Sequence, residues 1–157
     1  MLELFEKGCY AETAENLVGN TEDKLKAIAF LARSYANQGK LTDALEWSEK
    51  ALDTDKLNPG FHYLRATILQ EQGQIKRAVT SLKRALYLEP DFVLAHFALG
   101  NLAWQRGKIK ESQKHFRNAQ MILKNHNQTD IVPESDSITA GRLSEIIQCV
   151  TKRESQI

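Results

Sequence analysis

Residues 93–126 read VLAHFALGNLAWQRGKIKESQKHFRNAQMILKNH, and the pattern inside this stretch decides the fold. Leu94, Phe97, Ala98, Leu102 and Ala103 recur at helical spacing, Gly107 interrupts, and Ile109, Ser112, Phe116, Ala119 and Leu123 recur in the same way. A glycine between two such segments suits a helix that ends on a left-handed residue, because only glycine adopts that backbone almost without cost. Working outward, Gly39, Gly73 and Gly107 stand 34 residues apart, and so do Ala44, Ala78 and Ser112. Three more columns keep the interval: Ala51, Ala85 and Ala119; Leu41, Ile75 and Ile109; Ala32, Ala66 and Gly100. Agreement in five columns predicts three helix-turn-helix units at 25–58, 59–92 and 93–126.

The small residues explain how each pair of helices packs. Ala32, Ala66 and Gly100 fall on first helices, and Ala44, Ala78 and Ser112 face them from second helices. Two helices approach to about 8 Å only where the side chains at the crossing are small. Thr42 and Asp91 are the expected N-caps of the helices that follow them. Pro90 ends the preceding helix, because it lacks an N–H and disfavours helical geometry at Glu89. Residues 127–137 are polar, hold Pro133 and read as a loop. Residues 138–152 then read as a capping helix, with Leu143, Ile146, Ile147 and Val150 on one face, Arg142, Glu145, Lys152 and Arg153 on the other, and Ser137 or Thr139 as N-cap. Residues 153–157 are an expected disordered tail.

Composition narrows the function. Across 157 residues, 21 Lys and Arg balance 20 Asp and Glu, for a formal net charge of +1. That balance gives no case for nucleic acid or an anionic membrane. No apolar run approaches the roughly 20 residues that a membrane helix needs, and the charged first residues do not resemble a signal peptide. Cys9 and Cys149 match no metal or redox spacing. The expectation is a cytoplasmic protein, with no nucleic-acid partner and no membrane insertion.

The 34-residue columns resemble the tetratricopeptide repeat, and the third unit matches best through Leu99-Gly100, Gly107, Ser112, Phe116 and Ala119. The resemblance implies an all-α fold: a right-handed α-α superhelix of helix-turn-helix repeats, closed by the C-terminal capping helix, with first helices lining a concave groove. Arg65 departs from the family pattern, which has Leu there; its charged head is expected to snorkel to solvent along the methylene stem. A narrower resemblance runs through 88–103 and 133–147, LEPDFVLAHFALGNLA and PESDSITAGRLSEII, which are similar to the C-terminal repeat region of CheR-type chemotaxis methyltransferases. That family methylates receptor glutamates with S-adenosylmethionine through a separate upstream domain. No G-x-G turn of such a domain occurs here, so the resemblance implies a C-terminal piece of a longer enzyme with no cofactor of its own. Residues 1–24 are accordingly read as a partial repeat, with Gly8, Tyr10, Ala14 and Leu17 on its second helix.

The repeat positions also nominate a binding surface. The first unit offers Lys26, Phe30, Arg33 and Asn37; the second, Tyr63, Leu64, Thr67, Gln70 and Glu71; the third, Phe97, Asn101, Trp104 and Gln105. Rings interleaved with amides and an Arg suit an extended peptide, whose backbone the amides bond and whose side chains the rings bury. The competing role for Tyr63 and Phe97 is packing between repeats, and for Trp104 packing on the capping helix. Co-chaperones with this repeat grip a C-terminal carboxylate with Lys, Asn and Arg. Ala29, Arg33, Leu64, Leu94 and Ala98 stand in those places, which lack most of the donors, so that mode is disfavoured.

His62, His96, His115 and His126 show no metal-ligand spacing and read as structural. Cys149 reads as a small core residue, and Cys9 as an unactivated loop thiol. No nucleophile–base pair is evident, and no metal or catalytic residue is expected. The resulting expectation is a non-catalytic interaction module, the repeat region of a CheR-like methyltransferase, acting on its own upstream catalytic domain or a chemoreceptor-associated protein. The alternative is a stand-alone scaffold or secretion-type chaperone holding an extended peptide in the groove. One test follows from the crossing argument. Ala66→Leu should overpack it and cost about 1–3 kcal/mol in urea denaturation, and an unchanged midpoint would show the crossing to be misplaced.

Overall fold

The computed structural model describes residues 21–155, and these are all-helical apart from turns and one isolated bridge. The elements are α1 (Thr21–Asn37), α2 (Leu41–Thr54), α3 (Pro59–Glu71), α4 (Ile75–Leu88), α5 (Val93–Gln105), α6 (Ile109–Leu123) and α7 (Ala140–Ser155). The chain divides into two compact units, residues 1–78 and 79–157. Gly8, Tyr10, Ala14, Leu17 and the Cys9 thiol lie outside the described residues. Helix α1 begins at Thr21, four residues ahead of the expected start of the first unit.

The turns form as the glycines require. Gly39, Gly73 and Gly107 have φ of +76°, +77° and +73°. Each donates its N–H three residues back, and the residue after it donates five back: Lys40 to the Tyr35 carbonyl, Gln74 to Leu69 and Lys108 to Ala103, all at 2.9 Å. This pair of bonds satisfies carbonyls that a helix end would otherwise leave bare.

The same tight turn corrects the capping expectation. Lys40 closes α1 and at once opens α2, its carbonyl accepting from Ala44 N at 3.0 Å, so Thr42 falls inside the first turn and caps nothing. Before α5 the N-cap is Phe92 rather than Asp91, and no side chain completes it. Asn58 is the true side-chain cap: its Oδ1 accepts from Gly60 N at 2.9 Å, with Pro59 at the first helical position.

In the first unit the core joins α1, α2 and α3 through Ile28, Leu31, Ala32, Tyr35, Ala44, Trp47, Ala51, Leu64 and Ile68. Lys50 lies over the Trp47 ring, 4.3 Å from its centre. Arg65 does not snorkel. Its guanidinium stays largely buried, 3.4 Å from Glu49 on α2, which also meets Arg77 at 3.6 Å. A carboxylate within reach holds the charge inside better than a longer path to water.

In the second unit α5 and α6 form a hairpin with a close crossing. A Cβ at Gly100 would lie 2.6–2.9 Å from Cε1, Cδ1 and Cζ of Phe116, a fully buried ring. The connection spans residues 124–139, longer at both ends than the expected 127–137 loop, and α7 runs to Ser155, into the stretch expected to be a disordered tail. The connection is pinned by Val132 N donating to Ile138 O at 2.9 Å and Gly141 N to Gln128 O at 3.0 Å. Thr139 caps α7, its hydroxyl accepting from Arg142 N at 3.2 Å. Leu143 and Ile147 of α7 are buried, while Gln120 and Ser144 exchange two hydrogen bonds of 3.1 and 2.9 Å between α6 and α7. Cys149 is exposed, against the expectation of a core residue, because it sits two residues beyond Ile147 and so points away from the buried face.

Gly100→Ala should cost about 1–3 kcal/mol by chemical denaturation, and less in a Phe116→Leu background where the ring has gone. Equal costs in the two backgrounds would contradict the contact.

Candidate functional site

On α1, Lys26, Phe30, Arg33 and Asn37 are spaced by four, three and four residues, which places them on one face. All four are exposed, and Phe30 leaves 62% of its surface in water. Lys26 makes a solvent-exposed pair with Glu22 at 3.1 Å. Within the same unit α1 touches α3. There Tyr63, Thr67 and Gln70 form a half-buried row, Leu64 is buried and Glu71 is exposed. The Thr67 hydroxyl is turned inward on its own helix and donates to the Tyr63 carbonyl at 3.0 Å.

The row in the second unit lies on α5. Phe97, Asn101 and Trp104 are half-buried and Gln105 is exposed. Phe97 leans on Phe116 with ring centres 5.9 Å apart, so part of its surface belongs to the hairpin core. Leu94 is buried and Ala98 half-buried. Both units thus carry first-helix rows in which rings alternate with amides or hydroxyls.

The histidines behave as structural groups, with an arrangement that spacing did not reveal. His62 and His96, one repeat apart, each donate Nε2–H to a carbonyl six residues earlier: Lys56 at 2.8 Å and Pro90 at 2.9 Å. His62 Nδ1 is buried without a hydrogen-bond partner. His96 Nδ1 instead faces His115 Nδ1 at 3.4 Å. Since His96 spends its proton on Pro90, its Nδ1 accepts and His115 donates, which requires a neutral His96. The sequence signal for this contact is the hairpin itself, because the two residues sit at similar distances from Gly107 on opposite arms.

Burial lowers the pKa of His96, opposed by the Pro90 carbonyl and by Asp91. Burial also lowers that of His115, reinforced by His96, Lys114 and Lys83 and opposed by Glu111. No group of three or more metal-ligating side chains occurs among the described residues. A polar recess of about 470 Å³ lies between the end of α6 and α7, walled by Lys124, His126, Gln128, Gly141, Ser144 and Glu145 among others. No described helix is long and apolar enough to cross a membrane.

A family model described as TPR repeat matches residues 66–107. Within residues 66–107 the chain carries the tetratricopeptide repeat pattern. A second model, described as anaphase-promoting complex, cyclosome, subunit 3, matches residues 11–85. Among solved structures, the Yersinia enterocolitica type III secretion chaperone SycD, in complex with a peptide of the translocator YopD, is 18% identical with a TM-score of 0.74, over 90% of this chain and 98% of that one. PcrH, in complex with the chaperone binding region of PopD, is 18% identical with a TM-score of 0.65, over 86% and 98%. The first TPR of Spaghetti (RPAP3), bound to the HSP90 peptide SRMEEVD, is 19% identical with a TM-score of 0.63, over 83% and 94%. At such identities these tetratricopeptide structures share the fold with this chain.

The histidine pair sets a pH dependence whose sign follows from linkage. The unfolded chain takes up protons near the ordinary imidazole value of about 6.5, where the folded pair resists them. Stability should therefore be complete above that pH and fall as pH drops through the depressed folded values. Melting followed from pH 8 to pH 5 should show this decline, and His115→Gln should reduce it. An equal decline in the variant would contradict the assignment.

Proposed function

We propose that this chain is a non-catalytic module that holds an extended peptide against its first helices, in the manner of a scaffold or a secretion-type chaperone. The observation that carries the reading is the α1 row, where Phe30 stands 62% exposed between Lys26, Arg33 and Asn37, beside the Tyr63–Thr67–Gln70 row of α3. An exposed ring beside cationic and amide side chains offers a partner apolar area to cover, and a peptide can bury an apolar side chain there while its backbone is bonded. Structures of the same fold were solved with peptides of YopD, PopD and HSP90, which supports peptide holding as the use of this one. Asn101, Trp104 and Gln105 form the corresponding candidate row of the second unit.

The finer reading, a region attached to a CheR-like methyltransferase that uses S-adenosylmethionine, rests on the stretches 88–103 and 133–147 alone. The comparisons give it no support, and peptide holding is preferred. No cofactor is assigned to this chain.

The test is selection from a displayed random-peptide library, followed by anisotropy titration of the selected peptide. Phe30→Ala and Tyr63→Ala should each weaken binding by about tenfold or more, equivalent to at least about 1.4 kcal/mol. Unaltered affinity in both variants would remove the first helices as the contact surface.

A further inference from the structure

The near-neutral total charge hides a reversal of sign between repeats. The outward pole of each second helix lies opposite its buried alanines, Ala44 and Ala51 on α2, Ala78 and Ala85 on α4, and Ser112 and Ala119 on α6. At this pole the same repeat positions hold Glu46, Thr80 and Lys114; Glu49, Lys83 and Arg117; and Asp53, Tyr87 and Met121. Helix α2 has four carboxylates against one lysine, α4 has four cations and no carboxylate, and α6 has three cations against one. Large apolar side chains stand beside both kinds of charge: Leu57 after α2 is 75% exposed, Tyr87 on α4 is 88% exposed and Met121 on α6 is 65% exposed.

We propose that the acidic pole of α2 and the basic pole of α4 and α6 dock against one another between two copies of this chain. One molecule carries both halves of a complementary contact, each with a charged field and an exposed apolar anchor. The copies do not repel, since the net charge is only +1. The same acidic pole disfavours phosphate-rich or anionic-lipid partners, which it repels. Glu49 is engaged by Arg65 and Arg77, so Glu46 and Asp53 carry the acidic side, and Lys83, Arg84 and Arg117 the basic side. This contact is separate from the first-helix rows and does not depend on the peptide reading.

Sedimentation velocity of the full chain provides the test. The protein should associate at about 20 mM salt and dissociate at about 500 mM, where the screening length falls below 5 Å. Lys83→Glu/Arg84→Glu/Arg117→Glu and Glu46→Lys/Asp53→Lys should each self-associate at least tenfold more weakly. Mixed together they should form a complex, because each then supplies the pole that the other has lost. All five positions are at least partly exposed, and unchanged helical circular dichroism verifies folding. A monomeric wild type at low salt and about 100 μM, or a mixture of variants that stays dissociated, overturns the proposal. So does binding of phosphatidylserine vesicles or single-stranded RNA through Lys83, Arg84 and Arg117 by a protein that remains monomeric.

Discussion

Everything in this structure depends on two helices coming close enough to touch at the backbone. Ala32 and Ala44, Ala66 and Ala78, and Gly100 and Ser112 are the small residues that the repeat assigns to such crossings, and all six are buried. Phe116 shows how little room remains, since its ring occupies the space that a methyl group on Gly100 would need. A hairpin closed this tightly buries one stripe of each helix and leaves the opposite stripe outward. The first helices then present rings and amides, and the second helices present charge. Packing and function are linked through that single geometric consequence.

The interval of 34 residues made the hairpins legible in the sequence, because small residues and left-handed glycines are demanded by backbone geometry and tolerate few substitutes. Caps were less legible for a physical reason. In the Gly39–Lys40 turn one residue ends a helix and starts the next, so backbone groups satisfy one another and Thr42 arrives too late to serve. Where the connection is longer, Asn58 and Pro59 do follow the ordinary capping chemistry. Arg65 was misjudged because its partner Glu49 is 16 positions away, a distance that helical spacing does not reveal.

The candidate surface was legible in position but not in degree. Repeat arithmetic selects Phe30, Tyr63, Phe97 and Trp104 alike, whereas only Phe30 among them is exposed rather than half-buried, and Phe97 shares its ring with the core. The His96–His115 contact was hidden for the same reason as Arg65, since it forms across a hairpin. Charge was misleading when summed. The total of +1 is correct, yet an acidic second helix followed by two basic ones is a pattern that a sum erases. Burial separates these cases, because it tells which face each side chain is given to.

Hydrogen exchange followed by mass spectrometry, on the chain with and without a saturating selected peptide, tests most directly whether close-packed hairpins turn their first helices toward a ligand. Added protection confined to segments within residues 26–37 and 63–71 is the result this account predicts. Protection that appears instead on 41–54, 75–88 and 109–123, with the first helices unchanged, would contradict it.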